Sequence, residues 1–171
     1  MEGKRGVSEL ISIVLMILIT VAAGGLIYAF VFPIVESNIA QSQTCGSIQI
    51  GIITENGLTC YDSSSNSVQV EIGRGKDKVN LTGFHIQISG GGKSKSIFVN
   101  ATANPVAREY GQSAYSQAMT VPKQDGANTY VINSQGIGIT NPESVSVAPI
   151  VRASGKDRLC SVSASSALNS C

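Results

Sequence analysis

From Leu10 to Val35 the chain runs for 26 residues without a charge, bounded by Glu9 and Glu36. The run has no polar stripe at helical spacing, and its only aliphatic hydroxyls are at Ser12 and Thr20. At ~1.5 Å per residue it makes a helix of about 39 Å, and a bilayer core needs only ~30 Å. A helix apolar on every face is stable in lipid or among other helices, but not alone in water. From Gln41 onward the pattern changes to period two. Ser47–Ile52, Ser67–Ile72 (Val68, Val70 and Ile72 on one face), Phe84–Ile88, Tyr130–Ile132 and Ser144–Val147 alternate apolar with polar residues, as half-buried strands do. Turn residues separate them at Asn56-Gly57, Ser63–Asn66, Gly90-Gly91-Gly92, Asp125-Gly126 and Asn141-Pro142.

Short strands at this spacing predict an antiparallel β-sandwich of Ig-like type. The fold class expected is therefore α+β: a long N-terminal hydrophobic helix, then a β-sandwich head. Residues 7–40 form the helix and 41–171 the head, with Gln41–Thr44 as the neck. The segment 107–118 has no clear period and reads as a loop. The Ser-rich tail 161–171 reads as floppy.

Charge sets the orientation. Lys4 and Arg5 precede the apolar run, and no basic residue follows it until Arg74. The positive-inside rule leaves the N-terminus cytoplasmic and the head outside. The whole chain carries a formal charge of only +1, which argues against a nucleic-acid partner. Cys45, Cys60, Cys160 and Cys171 all lie in the exported part, and an even count there favours two disulfides. Of the three possible pairings, Cys45–Cys60 with Cys160–Cys171 closes the shortest loops and is the one expected. Metal coordination is the rival use of these thiols, disfavoured because neither spacing is of the CxxC kind and only one His is present.

Catalytic chemistry does not emerge. His85 sits in a strand pattern between Phe84 and Ile86 and reads as a solvated strand residue. Gly92-Lys93-Ser94 resembles the end of a phosphate-binding loop, but Gln87 stands where the first glycine belongs. Gly90–Gly92 reads as a hairpin loop, and Gly73-Arg74-Gly75 as a turn with exposed charges. The carboxylates are scattered, so no enzyme, cofactor or metal site is expected. Asn80-Leu81-Thr82 and Asn100-Ala101-Thr102 are N-glycosylation acceptor triplets in an exported domain.

Three readings of the N-terminus compete. A secretory signal cut after Val21-Ala22-Ala23 would leave an oily mature end. A plain transmembrane anchor fits the length and flanks. The third rests on Lys4-Arg5-Gly6 followed directly by Val7-Ser8-Glu9-Leu10-Ile11. This junction resembles the class III signal peptide of archaeal type IV pilins and archaellins, over about the first 35 residues. The resemblance implies a leader of residues 1–6, cut between Gly6 and Val7 by a prepilin peptidase. It implies a mature chain that begins with its apolar helix and carries Glu9 as an early acidic residue. Gly24 and Gly25 would permit close helix approach, and Pro33 would kink the helix near its exit.

The resemblance implies a subunit of an archaeal type IV-like pilus used for adhesion. The implied partners are further copies of the chain in a helical homopolymer, the prepilin peptidase, the pilus assembly platform, and the cytoplasmic membrane before assembly. The final location would be a cell-surface filament. An archaellum filament subunit, serving motility, is the near alternative. A membrane-anchored extracellular module, such as an archaellum stator or an S-layer-binding protein, is the alternative of a different class.

Overall fold

The computed structural model describes the backbone from residue 3 to 171 and the side chains from Leu10 onward. The chain has one long helical stretch: α1 (Gly3–Leu26), a π-helical turn (Ile27–Val31) and α2 (Phe32–Ser47). Eleven strands follow: β1 (Ile50–Ile53), β2 (Cys60–Asp62), β3 (Ser67–Arg74), β4 (Leu81–Gly90), β5 (Lys93–Val99), β6 (Ala107–Glu109), β7 (Gly126–Asn133), β8 (Ser144–Ala153), β9 (Lys156–Leu159), β10 (Ala164–Ala167) and β11 (Asn169–Ser170). Two compact units result, divided between Ala40 and Gln41. The chain is thus α+β, an apolar helix followed by predominantly antiparallel sheets.

In the second unit the strands form two sheets. One has the order β11-β2-β3-β7-β6, with β1 alongside β2 on β3; the other runs β10-β8-β4-β5, with β9 also on β8. Among the described residues only the β11–β2 pair is parallel. The chain changes sheet between β3 and β4, β5 and β6, β7 and β8, and β10 and β11. Each change brings apolar residues of alternating strands to one shared core. Val68, Val70 and Ile72 of β3, Ile132 of β7, Phe84, Ile86 and Ile88 of β4, and Val147 of β8 are fully buried. The rings of Phe84 and Tyr130, one from each sheet, meet edge-on at 5.3 Å. The Tyr130 hydroxyl, at the core's margin, donates to the Thr120 carbonyl at 2.6 Å. Burial pushes this phenol above its ordinary pKa, so it stays a donor. Two loop residues, Met119 and Ile139, complete the core.

Several expectations need correction. The neck residues 41–44 are helical, because α2 continues to Ser47. Gln41 there donates its side-chain amide to the Leu159 carbonyl at 3.3 Å, and Cys45 is tied to Cys160. The tail is not floppy. β10 pairs with β8 along Ser144–Val147, β11 pairs with β2, and Cys171 N–H donates to Tyr61 at 3.1 Å. Within 107–118 a short strand, β6, pairs with β7.

Gly73-Arg74-Gly75 is no exposed turn either. Gly73 and Arg74 belong to β3, and the Arg74 and Asp77 side chains are 8% and 2% exposed. Arg74 bonds Asp77 at 2.8 Å, while the Asp77 carboxylate also accepts from the N–H groups of Gln49 (3.3 Å) and Val79 (3.0 Å). Burial alone would raise the Asp77 pKa; the Arg74 guanidinium and the two N–H donors outweigh it and hold the carboxyl below its ordinary value. The pair is satisfied on every side, which is what makes a buried charge tolerable.

Candidate functional site

The helix is the candidate site with the plainest chemistry. Every large apolar side chain from Leu10 to Ile39 is exposed, from 46% at Val35 to 73% at Tyr28. The stretch from Leu10 is long and apolar enough to cross a membrane, and none of its most apolar window is buried. Thr20 hides its hydroxyl by donating to the Ile17 carbonyl at 2.9 Å, and Ser37 does the same to Ile34. A side-chain donor satisfied on its own helix imposes little penalty in an apolar medium. Space around Gly24 and Gly25 is open, with nothing within 4 Å of a Cβ built at either.

The helix continues through Pro33, with the π turn Ile27–Val31 immediately before it, and Phe32 N–H bonds the Ile27 carbonyl five residues back. Proline brings no N–H and its ring collides with the carbonyl four residues earlier. A locally widened turn relieves that crowding without ending the helix. Tyr28 and Phe32 stack at 5.6 Å on the same stretch.

The processing residues Lys4, Arg5, Gly6 and Val7, and the side chain of Glu9, lie outside the residues whose surroundings the structure describes. Of the other expected sites, the cysteines are all bonded, but not in the expected pairs. Cys45 joins Cys160 and Cys60 joins Cys171, with Cα atoms 5.5 and 5.1 Å apart and sequence separations of 115 and 111. Short-loop closure weighs only chain entropy, which grows slowly with loop length. Sheet pairing decides the matter: β11 lies beside β2 with Asn169 opposite Cys60, so Cys171 arrives next to it. Residues 160–163 are laid along β8 by Cys160 N–H to Pro149 and Ser163 N–H to Val147, both 2.9 Å.

The two sequons sit on the surface of the head. Asn80 is exposed, one residue before β4, and its carbonyl accepts from Arg152 N–H at 2.9 Å. Asn100 follows β5 and is half-buried; its side-chain oxygen accepts from the Thr102 N–H at 3.1 Å and from the Thr102 hydroxyl. His85 is half-buried and tilted against Phe98 at 5.2 Å rather than fully solvated. Gly91 and Gly92, at φ 57° and 73°, make the β4–β5 turn that only glycine adopts without strain. Lys93 and Ser94 begin β5, so no phosphate-binding loop exists there. Among the described residues no three His, Cys, Asp or Glu side chains gather in a metal-ligating group.

The arrangement poses a solvation problem. The helix can be stable only where lipid or other apolar helices surround it. The second unit is a covalently stapled body suited to oxidising surroundings outside the cytoplasm. Comparison with protein-family models and with curated proteins finds no match to this chain.

Proposed function

We propose that the chain is the structural subunit of an archaeal type IV-like pilus, with an Ig-like β-sandwich head displayed for surface adhesion. The observation that carries this reading is a helix apolar on every face placed directly behind Lys4-Arg5-Gly6. Cutting between Gly6 and Val7 removes both basic anchors while keeping the helix. Before assembly the cytoplasmic membrane solvates that helix; after assembly, identical helices solvate one another, and Gly24 and Gly25 let their backbones approach. A head that repeatedly changes between two predominantly antiparallel sheets supports the Ig-like assignment. Exposed Asn80 is the stronger of the two candidate glycan carriers.

The test is mass spectrometry of the protein's N-terminus in filaments sheared from cells. A terminal peptide beginning at Val7 in that fraction is expected. A chain found only in membranes, with residues 1–6 retained, overturns the filament reading in favour of an anchored extracellular module. A start at Gly24 means ordinary secretion.

A further inference from the structure

On the outer face of the five-stranded sheet, His85 and Gln87 of β4 project away from the core between their neighbours on β5 and β8. Strand register sets Gln87 opposite Ser96 on one side and Ser146 on the other, and His85 opposite Phe98 and Ala148. Leu159 to Val162 pass beside this floor, and between them lies a cleft of 260 Å³. The wall is held firmly: Cys160 and Ser163 bond β8, and Cys160 is bridged to Cys45.

Two properties of the lining decide what it suits. No aspartate, glutamate, lysine or arginine contributes to it. Yet it is dense in unused hydrogen-bonding capacity. Among the described residues no hydrogen bond engages the His85 ring or the hydroxyls of Ser96, Ser146 and Ser161, and Gln87 donates only to Ser94, at 2.5 Å. Each hydroxyl both donates and accepts, and the imidazole adds two ring nitrogens. Beside these groups stand apolar surfaces held in water: Leu159 at 51%, Val162 at 54% and Phe98 at 39% exposure.

The cleft has no permanent cation of the Lys or Arg kind for a phosphate or carboxylate ligand, and no carboxylate for an amine. A ligand that is itself a ring of hydroxyls with an apolar C–H face matches both halves of the lining. We infer that this cleft binds a neutral saccharide, one ring in the cleft with the remaining chain running out over the open face. Such a ligand gives the adhesive half of the proposed function its chemical class and rests on that half; it does not depend on filament formation.

The full chain, held in phosphocholine micelles that carry no sugar headgroup, is titrated by NMR. The probes are the methyl glycosides of glucose, mannose, galactose and N-acetylglucosamine, with glucuronate and a neutral serine-glutamine peptide as competitors. Expected is a saturable shift of the Gln87, Ser146 and Ser161 signals by at least one neutral glycoside, with dissociation constants on the order of millimolar. Ser146→Leu, which fills the cleft, and Gln87→Ala, which removes its central amide, each weaken binding at least about 10-fold. Unchanged spectra elsewhere show that both variants keep the fold. No saturable shift up to about 100 mM, equal binding by both variants, or tighter binding of glucuronate or peptide overturns the inference. Both variants still yield sheared filaments if the filament reading holds, so the two proposals fail separately.

Discussion

Ile19 of α1 keeps 64% of its surface exposed, and Ile86 of β4 keeps none. The same contrast divides most aliphatic side chains of the two units. The head buries its aliphatic side chains between its own sheets and turns hydroxyls and amides outward. The helix offers its aliphatic side chains on all faces and has nothing of its own to cover them. At roughly 25 cal/mol per Å² of apolar surface, that exposure is a large unmet driving force for association. One unit is finished by its own folding; the other is finished only by its surroundings. The helix therefore requires an apolar environment that the head does not.

The contrast can be broken from the helix side first. Leu18→Lys places a charge at mid-span, which costs about 3 kcal/mol at the centre of a membrane helix and has no counter-ion in a bundle of like helices. Loss of sheared filaments is expected, with the head still folded by circular dichroism; normal filaments from this variant would sink the assembly reading. A paired substitution sharpens the contrast through head stability, leaving assembly aside. Phe84→Ala, at a fully buried position, should destabilise the head by about 4 kcal/mol in denaturant unfolding. Phe30→Ala, at 67% exposure, should leave head stability unchanged. Equal effects would show that the units do not fold as described.

The smallest effect concerns charge. Asp77 is held below its ordinary value of 3.8 in the folded head. Its stabilisation is complete above that value and is lost as pH falls through the lower folded value. Asp77→Asn leaves Arg74 buried without a counter-ion and should cost about 3 kcal/mol at neutral pH. The gap between variant and parent should narrow as pH falls below the ordinary value of 3.8, and a gap constant with pH would show that the carboxylate charge contributes nothing.

Much of this contrast was legible from residues alone. The uncharged run at 10–35 reads as an apolar helix and the alternation of Val68, Val70 and Ile72 as a half-buried strand, and the structure has both. The features that escaped had no local signal. Lys93-Ser94-Lys95-Ser96 has no apolar period, yet it forms most of β5 because β4 offers an open edge and a two-glycine turn returns the chain to it. The tail 161–171 is polar by composition and is ordered by partners more than a hundred residues away in Tyr61 and Cys60. Arg74 and Asp77 look like surface charges until Gln49 and Val79 close over them. Met119 and Ile139 sit in loops, where period has no meaning. The cleft residues carried no motif either: His85 and Gln87 stand out only once Ser96, Ser146 and the Leu159–Val162 segment flank them.

The bond from Cys45 to Cys160 has a mechanical meaning. Tension delivered along the helix arrives at Cys45, in the last turn of α2. Without the bridge it would pass into β1 and peel strands one hydrogen bond at a time. With it, the load jumps to residue 160 across a covalent bond, and the whole stretch of chain between the two cysteines is taken out of line. A pull applied at Cys160 then reaches the helix along a covalent path that bypasses the chain from residue 46 to 159. Forced unfolding is governed by how fast the weakest element in series gives way, and here the sheets are no longer in series.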